Sequence, residues 1–175
     1  MSLGDWMEDK DELMRYPKED LVAFVRLASR LFMAMDGFWF IAAKEKLGYE
    51  VALELDRRAW EMYFPYEAKK LKSVFGIEDG IYGAVRGFKH SMRLLCLDCR
   101  LTEIDNDRAV LTIHNCHIRR AMERDGTPLT CQHVGNVVLT LFSRIFDDEL
   151  EGEILVDDTE EDVSCRWVIR RRAKK

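Results

Sequence analysis

The stretch RLLCLDCRLTEIDNDRAVLTIHN, residues 93–115, decides the fold. It holds two apolar-rich, roughly alternating runs, 93–104 and 108–115, joined by Asp105, Asn106 and Asp107. Alternation places successive side chains on opposite faces of a strand, and Asp and Asn favour tight turns, so the spacing predicts a β-hairpin. Toward the C-terminus, residues 119–125 read as a short helix ended by Gly126. Pro128 and Thr130 then precede a helical run, 131–146, with Val134, Val137, Val138, Leu141, Phe142 and Ile145 on one side. Residues 153–156 and 164–170 read as two further strands, with the acidic stretch 157–162 as a solvated connection.

The period changes on the other side of the hairpin. From 18 to 46 the apolar residues fall at Leu21, Phe24, Val25, Ala28, Leu31, Phe32, Met35, Phe38, Trp39 and Ala42. Alternating steps of three and four predict one buried helical stripe. Pro17 precedes it, Gly48 ends it, and Asp36-Gly37 marks an expected kink or break. A second helical stretch, 50–75, is expected to turn Val51, Leu55, Ala59, Met62, Tyr66, Leu71 and Val74 inward and to bend or divide at Pro65. Residues 76–87 hold four glycines and read as a linker with a short helix. Helices followed by strands point to an α+β fold: N-terminal helices packed on an antiparallel sheet, with a ββ-α-ββ C-terminal half. Residues 1–17 read as an extension and 18–175 as a single domain, helical over 18–75 and sheet-containing over 88–170.

Bulk properties narrow the function classes. A chain of 175 residues with a formal net charge of -5 lacks the basic face that phosphate backbones require, so no nucleic acid partner is expected. The Arg170-Arg171-Arg172 run with Lys174 and Lys175 reads as a solvated terminus. No apolar run approaches the ~20 residues that span a bilayer, and no secretory leader is recognisable, so neither membrane nor export is expected. An odd count of five cysteines suits thiols or metal ligands better than a disulfide framework. A cytoplasmic protein is the expectation.

All the chemistry-bearing soft ligands lie in the second half: Cys96, Cys99, Cys116, Cys131 and Cys165, with His90, His114, His117 and His133. Thiolates and imidazoles are the ligands of zinc. Cys116 ends an expected strand, Cys131 begins a helix and Cys165 opens the last strand; element ends are where side chains converge. These three, with His117 or His133 as a fourth ligand, form the candidate metal site. The competing view is that each is a small buried apolar residue. A helix N-terminus is expected to lower the pKa of Cys131. Cys96 and Cys99 lie within the expected first strand, three apart and therefore on opposite faces, which removes them from the site. His90 has no evident partner. His114, inside the hairpin, reads as a face residue or a ligand contact.

Asp36 sits within an aromatic run as either a helix N-cap or a desolvated acid. Trp39, Phe40 and Trp60, with Phe38, Tyr63 and Phe64, are candidates to wall a hydrophobic pocket or to fill the core. Neither a phosphate loop nor a Gly-x-Ser-x-Gly elbow is present.

The stretches Met35 to Phe40, Gly48 through Ala52 to Trp60, Ala68 to Lys72, Asn115-Cys116, Cys131 to Gly135 and Cys165-Arg166-Trp167 together resemble the family related to L-2-amino-thiazoline-4-carboxylic acid hydrolase. The second half is also similar to vinyl-reductase-type small-molecule-binding domains. The resemblance implies an α+β domain binding a small molecule, with cysteines at the site and a homodimeric state. Two functions follow as expectations. One is a binding module with a zinc-stabilised cysteine–histidine site. The other is a hydrolase of a small cyclic amidine, in which Cys131 or a metal-bound water attacks, His133 or His117 acts as base and Asp36 orients. Whether the chain is an enzyme stays open at this point. A large exposed apolar patch on the helices would instead mark a protein-interaction subunit.

Overall fold

Lys18–Leu47 forms one uninterrupted helix, α1, in the computed structural model, which describes residues 13–124, 126, 131–156 and 162–172 (backbone only at Gln132 and His133). The expected break at Asp36-Gly37 does not occur. Gly37 costs about 1 kcal/mol in a helix interior, and the strong helix formers around it, Ala34, Met35, Ala42 and Ala43, outweigh that. The chain turns at Gly48, whose φ of 87° is open to glycine and whose N–H bonds the carbonyl of Lys44 at 3.0 Å. Helix α2, Tyr49–Phe75, then runs back along α1, with Phe40 beside Tyr49 and Phe32 beside Trp60 and Tyr63. Pro65 lies inside α2 without dividing it; the packed neighbours Phe64, Glu67 and Ala68 hold the helix through the missing hydrogen bond.

The expected linker is instead the start of the central helix. Helix α3, Gly80–Leu94, buries Ile81, Ala84, Val85, Phe88 and Met92, which fall on one helical face. Its glycines mark close packing rather than flexibility. A Cβ at Gly87 would lie 2.6 Å from Cζ of Phe146. Because α3 continues to Leu94, the first strand begins at Asp98 and not at 93.

Four strands follow: β1 (Asp98–Ile104), β2 (Arg108–His114), β3 (Leu150–Val156) and β4 (Val163–Arg171). They form one antiparallel sheet in the order β1-β2-β4-β3. The β1–β2 turn is closed by Asp105, whose Oδ1 accepts from the N–H groups of Asp107 (2.8 Å) and Arg108 (2.7 Å). Two helices, α4 (His117–Arg124) and α5 (Cys131–Ser143), connect the hairpins, close to the short helix and the longer helical run expected there. Ala109, Leu111 and Ile113 of β2 stand opposite Ile169, Trp167 and Cys165 of β4. Phe88 packs against Trp167 at 4.7 Å and Phe142 at 5.7 Å between ring centroids, joining sheet, α3 and α5. Helix α5 also closes the edge of β3. Thr140 Oγ1 and Asn136 Oδ1 accept from the N–H groups of Gly152 (2.9 Å) and Ile154 (2.6 Å).

The architecture is therefore α+β, with N-terminal helices followed by an antiparallel sheet. Two burial expectations are corrected. The α1 stripe is at the surface: Phe24, Leu31, Met35, Phe38 and Trp39 are all exposed. On α2, only Leu71 of the expected inner set is buried, while Val51, Leu55, Ala59, Met62, Tyr66 and Val74 are exposed. The buried face carries Ala52, Phe64, Ala68 and Leu71 instead. Both helices have apolar residues on more than one face, and tertiary partners rather than periodicity choose which face is covered. Residues 1–12 of the extension, 157–161 of the acidic connection and 173–175 of the basic tail lie outside the described residues.

Candidate functional site

Strand β2 ends at His114, and Asn115 takes a left-handed backbone (φ 49°) that turns the chain sharply into α4. Its N–H donates to the carbonyl of Asp162 at 3.2 Å. Cys116 then stands at the helix N-cap. Its carbonyl accepts from the N–H of Arg120 at 3.1 Å, and its Sγ accepts from the N–H of Arg119 at 3.4 Å, the capping position a serine oxygen would otherwise take. The N–H of Cys116 donates to Ser164 Oγ at 2.9 Å, which ties the start of α4 to the start of β4. Arg119 strengthens the tie: Nη1 donates to the carbonyl of Ser164 at 2.9 Å and Nε to Glu123 Oε1 at 2.8 Å. One residue beyond Ser164, Cys165 turns to the core side of the sheet, and its Sγ accepts from Trp167 Nε1–H at 3.1 Å. Cys131 opens α5.

These elements enclose a cavity of about 20 Å³ lined by Cys116, Arg119, Cys131, Val156, Ser164 and Cys165. A single water needs roughly 10–15 Å³, so the space suits one atom-sized occupant. Thiols from three separate elements thus line one small cavity. Among the described residues, no three His, Cys, Asp or Glu side chains stand at metal-binding spacing. The thiols converge without forming a finished coordination shell.

Burial governs their protonation. The Cys165 thiol is pushed up to about 12 by desolvation, and the neighbouring Cys116 and Cys131 add to it, against the Trp167 hydrogen bond and Arg119. Cys131 is also raised, by desolvation first and then by Cys116. The expected lowering at a helix N-terminus is therefore overturned. The macrodipole contributes ~0.3–1 kcal/mol near an exposed helix end, less than the penalty of placing a thiolate among apolar groups.

The remaining candidates lie elsewhere. His117 is the first residue of α4 but does not line the cavity; partial desolvation, Arg120 and Arg30 lower its pKa. The His133 side chain lies outside the described residues. His114 is half-buried on the sheet, opposite Asp98. Trp39, Phe40 and Trp60 belong to the α1–α2 hairpin, so the expected ligand-binding set is divided between sheet and helices. Trp39 is exposed, and Trp60 donates through Nε1 to Asp56 Oδ1 at 3.1 Å. Asp36 is not a helix cap. It lies mid-helix, half-buried near Asp56, and desolvation followed by that second carboxylate raises its pKa to about 6. Cys96 is exposed in the turn after α3 rather than in a strand, and Cys99 is half-buried with its pKa pushed up to about 12 by desolvation. His90 has a partner after all, stacked on Phe75 with ring centroids 4.3 Å apart.

A family model covers this whole constellation, matching residues 14–170. The chain belongs to DUF6125, a family of unknown function. None of the curated proteins and none of the solved structures matches it. In this DUF6125 protein, sequence reasoning missed three cavity residues, Arg119, Val156 and Ser164. Arg119 follows Cys116 by three, the offset at which a capping atom meets a helix N–H, and Ser164 directly precedes Cys165. Among the described residues, no helix is long and apolar enough to cross a membrane.

Proposed function

We propose that this DUF6125 chain is a small-ligand-binding domain that holds a single soft metal ion, zinc first among them, between Cys116, Cys131 and Cys165. One observation carries the proposal: three thiols, supplied by three different elements, line one cavity of about 20 Å³. Thiolates are the preferred ligands of such ions, and zinc deprotonates a coordinating thiol outright. That chemistry suits thiols which burial otherwise keeps protonated. Zinc bound by three thiolates carries a net negative charge, and the Arg119 guanidinium on the cavity wall offsets it. A reducing cytoplasm suits a site of free thiols.

Hydrolysis of a cyclic amidine is less well supported. A buried, protonated Cys131 is a poor nucleophile, and Asp36 belongs to the helical hairpin rather than to the cavity lining. Metal analysis of protein purified without added zinc tests the proposal. One metal per chain, with melting lowered by chelation, is expected; sub-stoichiometric metal with unchanged melting contradicts it.

A further inference from the structure

We infer that the outer face of α1 docks on the same face of a second copy of this chain, antiparallel, about a two-fold axis passing at the level of Met33. Phe24, Ala28, Leu31, Met35, Phe38 and Ala42 follow steps of four, three, four, three and four. That is the heptad seam of a helix built to pair with another helix. In this chain only the Tyr16 ring, edge-on to Phe24 at 5.6 Å, touches its end, and the seam stays open: Phe24 is 53 % exposed, Leu31 61 %, Met35 68 % and Phe38 70 %. Helix α1 uses a different face, with Ser29, Met33, Asp36 and Phe40, toward the rest of the protein. A helix apolar on both faces belongs inside a larger helical assembly.

The pattern along the seam names the partner. In an antiparallel pairing centred on Met33, Phe24 meets Ala42 of the other copy, Ala28 meets Phe38, and Leu31 meets Met35. Each layer then joins a large side chain to a small one, or two of middling size, which is how facing helices interdigitate. Leu27 and Trp39 flank the seam, one on each side. The helix ends agree as well: the first turn of α1 carries Glu19 and Asp20 and the last carries Lys44 and Lys46, so an antiparallel pairing sets the acidic end of one copy beside the basic end of the other. A parallel pairing would instead set Phe24 on Phe24, Phe38 on Phe38 and alanine on alanine. The self-complementarity is that of an isologous two-fold interface.

The area is sufficient. With aromatic side chains spanning about 150–250 Å², six half-exposed large residues (Phe24, Leu27, Leu31, Met35, Phe38 and Trp39) present on the order of 600 Å². Specific interfaces bury at least about 1,200 Å² in total, about 600 Å² from each partner, and monomers rarely leave so large an apolar patch open. This inference does not depend on the thiol cavity.

Sedimentation equilibrium of the full chain at micromolar concentration, with helix content and melting recorded for each variant, tests it. A mass twice the 20.5 kDa of one chain is expected for the wild type. Leu31→Glu and Met35→Lys should each shift the mass toward one chain while keeping helix content, because both positions are exposed. The double variant Leu31→Glu/Met35→Lys should recover the dimer, since each introduced Glu then faces an introduced Lys. A monomeric wild type overturns the inference, including one that instead binds phospholipid vesicles. So does a dimer unaffected by either single change, or a double variant no better than the singles. If one single variant fails to fold, the wild-type mass and the other variants still decide.

Discussion

Replacing Asp36 by Asn should stabilise the protein above neutral pH and leave it unchanged in acid. The Asp36 carboxyl is raised from 3.8 to about 6, by desolvation between α1 and α2 and then by Asp56. A tenfold change in proton affinity corresponds to about 1.4 kcal/mol, so a fully enclosed carboxyl with this displacement would cost about 3 kcal/mol when ionised. Asp36 is only half-buried, and solvent screening reduces the expected cost to about 1–2 kcal/mol. The sign follows from proton binding. Between pH 3.8 and 6 the folded chain holds a proton at Asp36 that the unfolded chain has released. Stability contributed by this group therefore falls as pH rises through that window, and the penalty is complete above pH 6. Asparagine has the same shape and no charge, so it removes the penalty only where the penalty exists. Urea denaturation at pH 7.5 should move the Asp36→Asn midpoint upward by roughly half a molar, with m-values of about 2–3 kcal/mol/M. At pH 4 the two midpoints should nearly coincide. A variant no more stable than wild type at pH 7.5, or one whose advantage is the same at both pH values, would refute the electrostatic account of the hairpin.

Three further outcomes follow from packing and thiol chemistry. Gly87→Ala should lower stability by about 1–3 kcal/mol, because its methyl would meet the Phe146 ring at 2.6 Å; an unchanged melting temperature would show that α3 and Phe146 are less tightly apposed. Phe142→Ala should cost about 3–5 kcal/mol, since this fully buried ring joins α2, α3 and α5, and chemical denaturation reads it directly. Under brief alkylation at pH 8, Cys96 should be modified well before Cys165, as the first is exposed and the second is buried with its thiol held up at about 12; mass spectrometry showing Cys165 modified first would contradict the burial argument.

The β2 strand, the hairpin turn and the placement of Cys116, Cys131 and Cys165 near element ends were legible because they rest on local signals. Alternation, a turn triplet and element ends all lie within a few residues of one another. The central helix α3 was not legible, since Gly83 and Gly87 read as punctuation when taken alone. Gly87 makes room for Phe146, about sixty residues away, and Gly83 for the Glu78 carbonyl, which a Cβ would meet at 1.8 Å. The faces of α1 and α2 were misassigned for a related reason. Periodicity finds the apolar stripe running from Phe24 to Ala42, but whether this chain or another copy covers it is a tertiary fact. The lowered pKa expected for Cys131 failed because helix position is visible in sequence while desolvation is not. Arg119 escaped notice among seventeen arginines of similar appearance, until the Ser164 carbonyl and the cavity distinguished it.

Cobalt(II) titration of the reduced protein, followed through the sulfur-to-cobalt charge-transfer band, tests the thiol site most directly. The account predicts saturation at one ion per chain with an intensity that indicates three thiolates. It also predicts stepwise loss of intensity in Cys116→Ser, Cys131→Ser and Cys165→Ser, and weaker binding as pH falls, because each thiol must release a proton. The absence of a thiolate band at any cobalt concentration, in protein whose fold is intact, would contradict it.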